Sequence, residues 1–147
     1  MRHILVIEDN PDDVLILEHA FERAGILPPM HVCRDGEDAI DYLKGKGRYS
    51  DRSRFPFPRL LISDLKMPRC NGLELLKWLQ THPKCSVVPT LILSTSAQQE
   101  DVAKAYRLGA HTYFQKPAGI SDLVAILKEA IAYWRKAALP ERPQHCE

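Results

Sequence analysis

At 147 residues, with 45% hydrophobic and 27% charged side chains, the chain has the size and composition of one globular domain with a full core. Its formal net charge of +1 supplies no overall field for nucleic acid, membrane surface or acidic substrate. The amino-terminal apolar run Ile4-Leu5-Val6-Ile7 meets Glu8-Asp9 at once, too short for a secretion signal or a bilayer span, so cytoplasmic residence is expected.

Short β-like runs then alternate with helical stretches. Residues 3–7 read as a first strand, apolar throughout and so suited to cover on both faces. Asn10-Pro11-Asp12-Asp13 starts a helix: Asn10 caps it, Pro11 fits its first turn, and two acids complement the dipole. Val14, Leu17, Phe21 and Ala24 form its apolar stripe, and Gly25 stops it. Residues 30–33 form a second strand, and Ala39, Ile40 and Leu43 mark the inner face of a second helix. Residues 60–64 are the third strand, followed by a helix carrying Leu73, Leu76 and Leu79 that Pro83 helps close. Residues 87–94 contain strand four. Val102, Ala105 and Leu108 belong to helix four, ended by Gly109. Residues 112–115 are strand five, and Ser121 caps a last helix bearing Leu123, Leu127, Ala130 and Trp134. The pattern predicts an α/β fold: a doubly wound, five-stranded parallel sheet, order 2-1-3-4-5, with five helices.

Residues 1–136 form one domain on this reading, and 137–147, with two prolines and several charges, a frayed tail. Only about a dozen residues follow the last helix, so no output domain is expected. The segment 44–59 carries six basic residues against Asp51, with Phe55-Pro56-Phe57-Pro58. It reads as a solvated loop with two anchoring aromatics, a kinase-docking role being the alternative. Cys33, Cys70, Cys85 and Cys146 are widely spaced and lack any C-x-x-C pair. Reduced thiols are expected rather than a disulfide or zinc site.

Chemistry in such sheets gathers at the carboxyl ends of the strands. Strand one ends in Glu8-Asp9, strand three in Asp64 and strand four in Ser94-Thr95, while Lys116-Pro117 follows strand five. Three carboxylates in one crevice repel one another, and Lys116 and a divalent cation would offset that. An all-oxygen ligand set favours Mg²⁺, with Asp9, Asp64 and the Lys66 backbone carbonyl as direct ligands and Glu8 acting through a bound water. An ionised aspartate beside Mg²⁺ is a fair nucleophile for phosphorus. The cation and Lys116 would grip the equatorial oxygens, and the Ser94 hydroxyl would donate to one of them.

Four stretches carry a family resemblance: Ile4-Leu5-Val6-Ile7-Glu8-Asp9-Asn10; Leu61-Ile62-Ser63-Asp64-Leu65-Lys66-Met67-Pro68, with Gly72 beyond; Leu91-Ile92-Leu93-Ser94-Thr95-Ser96; and Ala110-His111-Thr112-Tyr113-Phe114-Gln115-Lys116-Pro117. Over roughly residues 2–135 the chain resembles the receiver domain of two-component response regulators. The resemblance implies that Asp64 is the phosphoacceptor and Glu8 and Asp9 the acidic pair. Ser94 is then the switch hydroxyl, Tyr113 the switch aromatic and Lys116 the phosphate-contacting lysine. It also implies a cis Lys116–Pro117 peptide, and tuning roles for Lys66, Ser96 and Thr95. The helix start and the basic loop resemble stand-alone regulators paired with bacterial phytochromes. A histidine kinase, in that case a phytochrome, is the implied donor.

Ser94 is expected to move toward the phosphoryl group and free space for Tyr113 to rotate inward, changing the face made by helix four, strand five and helix five. Phe114, Tyr133 and Trp134 are candidates for a homodimer patch there. The chain is read as a switch that assists its own Mg²⁺-dependent phosphorylation and dephosphorylation, not as an enzyme. A haloacid-dehalogenase-type phosphatase would carry an acid/base aspartate where Lys66 stands, and no G-x-x-x-x-G-K motif supports a P-loop enzyme. An adaptor that keeps the fold and ignores phosphate is the remaining rival.

Overall fold

Five short apolar runs become five parallel strands: β1 (Ile4–Ile7), β2 (Met30–Cys33), β3 (Leu60–Ser63), β4 (Thr90–Ser94) and β5 (Thr112–Gln115). They lie in the order β2-β1-β3-β4-β5, as expected. The structure, a computed structural model, describes residues 3–26, 30–67, 69–143 and 146. Pro68, the end of the second motif stretch, lies outside the described residues.

The side-chain period of two sorts each strand between two half-cores. Ile4, Val6, Leu60, Ile62, Leu91 and Leu93 face α1 (Pro11–Arg23) and α5 (Ile120–Lys136), meeting Leu17, Phe21, Leu123, Leu127 and Ile131. Leu5, Ile7, Leu61 and Ile92 face the other way, toward α2 (Gly36–Lys44), α3 (Gly72–Gln80) and α4 (Gln99–Arg107). The Asn10 side chain caps α1 by accepting from the Asp12 and Asp13 amides, and Asn71 with Glu74 forms a capping box at α3. The last helix starts earlier than expected. Gly119 is its cap residue and Ser121 lies inside it, so α5 begins without a side-chain cap.

Two expectations for the opposite end of the sheet fail. The tail does not fray through its described length: the Arg142 guanidinium donates to the Phe57 carbonyl at 2.9 Å, and the Cys146 amide reaches the Leu43 carbonyl at 3.3 Å. Cys146 is 1% exposed and paired with Cys85 in a disulfide, their Cα atoms 5.6 Å apart. The reduced-thiol expectation therefore holds for Cys33 and Cys70 only. The tail crosses from the end of α5 to the α2–α3 side, where Leu43, Phe57, Leu79 and Val88 offer it an apolar seat.

The basic loop is more ordered than a solvated segment. Gly47–Ser50 is a 3-10 turn, and Tyr42, Tyr49 and Phe55 pack ring against ring. Arg52 donates to the carbonyls of Tyr42, Leu43 and Phe55, which holds the loop on α2.

Candidate functional site

Parallel register places the polar strand ends side by side. Ile7 pairs with Ser63, so Glu8 and Asp64 emerge together, and the Asp64 amide donates to the Ile7 carbonyl at 3.0 Å. Ser94 pairs with Gln115, so Lys116 follows at the same edge. Its amide donates to the Ser94 carbonyl at 2.6 Å. Carboxylate oxygens of Glu8, Asp9 and Asp64 all lie within 4.8 Å of one another. The expected crevice is present.

Lys116 Nζ sits 2.7 Å from Glu8 Oε1, 3.4 Å from Asp13 Oδ2 and 3.7 Å from Asp64 Oδ2. Asp64 Oδ1 accepts from the Leu65 amide at 2.6 Å, and Glu8 Oε2 from the Asp9 amide at 3.0 Å. Glu8 is 3% exposed, and burial pushes its carboxyl up to about 7. The Lys116 hydrogen bond pulls the other way and the neighbouring Asp64 charge adds to the rise. Burial works against charge on Lys116. The Glu8 hydrogen bond and the charges of Asp64, Glu8 and Asp13 nonetheless hold its ammonium above the ordinary lysine value.

Three carboxylates, of Glu8, Asp13 and Asp64, lie within 4 Å of one ammonium, and Asp9 stands beside two of them, so acids outnumber the base in the crevice. Its donors are all oxygens; Asp9 is exposed and Asp64 half-buried, which leaves room for bound water. That donor set fits a hard, partly hydrated divalent cation such as Mg²⁺. Glu8, the most buried of the three and engaged by Lys116, is the least free to act as a direct ligand.

The backbone of the β3–α3 connection is held close to Asp64. The Gly72 amide donates to the Leu65 carbonyl at 2.9 Å, and a Cβ on Gly72 would overlap the Asp64 carbonyl oxygen. Gly72 thereby lets the start of α3 approach the acidic strand end.

Ser94 is buried at the end of β4, where its Oγ accepts from the Ser96 amide at 3.2 Å. Thr95 and Lys66 are exposed. The Tyr113 ring is half-buried against the cluster that holds Ile92 and Ala105, and its hydroxyl donates to the Ser96 carbonyl at 2.9 Å. The Lys116–Pro117 peptide is trans, not cis; among the described residues there is no cis peptide. Lys116 takes its aim from the Ser94 carbonyl behind it and the carboxylates ahead.

The expected aromatic patch is largely committed inward. Phe114 and Trp134 pack against the α1–α5 half-core, while Tyr133 is 67% exposed and Tyr106, on α4, 47%. Sequence reasoning missed Asp13 and Asp101 as members of this region. Asp13 was legible only as a helix-start acid, yet that helix start abuts the end of β1.

Residues 4–128 match the family described as the response regulator receiver domain. Among solved structures, RPA3017, described as a response regulator in red light signaling of R. palustris, is 34% identical. It superposes with a TM-score of 0.91, covering 96% of this chain and 99% of its own. The phosphorylated cyanobacterial phytochrome response regulator RcpA is 31% identical, with a TM-score of 0.84 and coverage of 95% and 99%. Rcp1 of Synechocystis is 28% identical over 131 residues, 89% of this chain and 87% of its own. Its Mn²⁺-bound crystal structure gives a TM-score of 0.81 at 27% identity, over 96% and 100% of the two chains.

Proposed function

The chain belongs to the response regulator receiver family, and on that premise we propose that it accepts a phosphoryl group from a histidine kinase onto Asp64 in a Mg²⁺-dependent reaction. The observation that carries this is the meeting of Glu8, Asp9 and Asp64 oxygens within 4.8 Å, with Lys116 Nζ 3.7 Å from Asp64 Oδ2. In the transfer, an Asp64 carboxylate oxygen forms the new P–O bond as the P–N bond of the kinase phosphohistidine breaks. The imidazole nitrogen keeps the bonding electron pair. Lys116 neutralises charge on the moving group, and the Ser94 hydroxyl, whose oxygen already accepts from Ser96, keeps its proton to donate to it. Mg²⁺ held by Asp9, Asp64 and the Lys66 carbonyl, with Glu8 acting through a bound water, would supply the remaining charge neutralisation.

The donor we propose is a phytochrome-type kinase, because RPA3017 and RcpA are described as regulators of red-light and phytochrome signalling and both superpose over nearly the whole chain. Output passes through protein–protein contact, with no nucleic acid or membrane partner. The exposed Tyr106 and Tyr133 are the candidates for a homodimer face on α4, β5 and α5. The setting is cytoplasmic. Among the described residues no helix is long and apolar enough to cross a membrane. The protein acts as a switch and not as an enzyme on external substrates, since exposed Lys66 stands where an acid/base aspartate would be needed.

The test is intact-mass measurement after incubation with Mg²⁺ and acetyl phosphate. One phosphoryl group is gained, and Asp64→Asn gains none. An adaptor would gain nothing in either form, and a phosphatase would release phosphate steadily. Faster transfer from a phytochrome kinase than from an unrelated histidine kinase checks the partner.

A further inference from the structure

The end of β4 is wired to α4 through one residue. The Ser96 amide donates to Ser94 Oγ at 3.2 Å, and its carbonyl accepts from the Tyr113 hydroxyl at 2.9 Å. The Ser96 hydroxyl donates to Asp101 Oδ2 at 2.6 Å and accepts from the Gln98 amide at 3.3 Å. Every polar group of Ser96 is engaged, and each points to a different part of the switch region.

The partner on the helix is just as telling. The cap residue of α4, Gln98, makes no side-chain capping bond, so the helix lacks its usual anchor. Asp101 lies in the first turn, where a carboxylate is favoured by the dipole, and it reaches back past the cap to Ser96. A charge-assisted hydrogen bond of this length is the strongest contact in the connection. On the far side, the Tyr106 hydroxyl accepts from the Tyr113 amide at 3.0 Å, which ties α4 to β5 as well.

We infer that Asp101 is a positioning residue for phosphoryl transfer: through Ser96 it fixes the Ser94 hydroxyl and the Tyr113 ring in the arrangement that receives the phosphoryl group. The inference rests on the proposed function. The Ser96 amide occupies one of the two lone pairs of Ser94 Oγ and restrains where that oxygen sits, leaving its proton available to donate when the phosphoryl group arrives. Removing Asp101 frees the Ser96 hydroxyl to turn, loosens the loop, and makes Ser94 and Tyr113 populate other orientations.

The experiment uses the full chain with Mg²⁺ and acetyl phosphate, following phosphoryl gain by intact mass over a range of donor concentrations. Asp101→Ala and Ser96→Ala each lower the maximal rate about threefold to tenfold, the size of one hydrogen bond. The donor concentration at half-maximal rate stays unchanged. The double variant is no slower than Ser96→Ala alone, because Asp101 acts through Ser96. Ser96→Thr, which keeps a hydroxyl, restores the rate lost in Ser96→Ala. Additive losses, or full rates in Asp101→Ala, overturn the inference while phosphorylation of the wild-type chain leaves the functional reading intact. If the wild type gains no phosphoryl group, the functional reading fails. The Tyr113 ring resonances of the unmodified chain then decide whether Asp101 positions that ring through Ser96: a shift in Asp101→Ala supports it, and no shift overturns it.

Discussion

The two ends of the sheet were assembled by different means. At the carboxyl ends of the strands, Glu8, Asp64, Ser94 and Lys116 come together because parallel register carries each strand's next residue to the same edge. Toward the amino-terminal ends, Arg142 and Cys146 arrive from the far side of the molecule and dock on Phe57, Leu43 and Cys85. The first gathering is a consequence of topology: any sequence that folds this way brings the residues that follow its strands to that edge, and here they are acids, a hydroxyl and an amine. The second is an added strap that the fold does not require. The contrast implies separable roles: the strap sets stability, and the crevice sets chemistry.

The strongest way to break that division is to cut the strap. The disulfide joins residues 61 apart, and closing a loop of that length stabilises the folded state by about 4 kcal/mol in the chain-entropy account. Cys146→Ser, or a reductant added to the wild type, should lower the urea midpoint accordingly. Phosphoryl uptake from acetyl phosphate, measured while the chain is still folded, should not change. An unchanged midpoint would mean that the tail contributes nothing covalent, and slowed uptake would show that the two ends are coupled.

The converse is to disable the crevice and watch stability. Lys116 is the ammonium that reaches Glu8, Asp13 and Asp64 together, so Lys116→Ala should slow phosphoryl uptake by on the order of a hundredfold. Gly72 tests the frame beneath the site. A methyl group there meets the Asp64 carbonyl oxygen, which is backbone and cannot swing aside. Gly72→Ala should cost about 1–3 kcal/mol in a denaturant titration. It should also slow uptake, because the loop that must yield carries the acceptor. Lost stability with full uptake would place the adjustment in α3 instead.

The same contrast explains what could be read from the sequence. Strand ends with a carboxylate or amine after an apolar run, as at Glu8, Asp64 and Lys116, are local patterns, and five apolar runs with helices between them point to a doubly wound parallel sheet. The strap left no such trace: Cys85 and Cys146 share no spacing rule, and a tail rich in proline and charge resembles one that frays. The stretch 87–94 contains β4, as expected, but does not open with it. Instead the Val88 amide closes a turn onto the Cys85 carbonyl, and β4 starts at Thr90. The β-branched pair Val87-Val88 serves the α2–α3 half-core through Val88, so packing and not extended pairing explains it. Asp13 and Asp101 were each legible as first-turn acids, a role that hid their reach to Lys116 and Ser96. Propensity shows where such an acid sits on its own helix. Only the packing of that helix shows what else it touches.

The finest test concerns Glu8, where the crevice does touch stability. Its carboxyl is raised by burial from the ordinary 4.5 to about 7 in the folded chain. Below about 4.5 both folded and unfolded chains hold the proton, and the contribution of Glu8 to stability is fully present. As pH rises from about 4.5 to about 7, the unfolded chain releases a proton that the folded chain keeps, so that contribution is lost. In metal-free buffer the urea midpoint should therefore decline across this window, and Glu8→Gln should flatten the decline. A divalent cation needs the acidic cluster ionised, so saturating Mg²⁺ should weaken or reverse the slope in the wild type. A slope that persists unchanged with Mg²⁺ would mean that Glu8 titrates independently of the cation. The charge that Asp9, Asp64 and Lys116 present to a phosphoryl group would then be set without it.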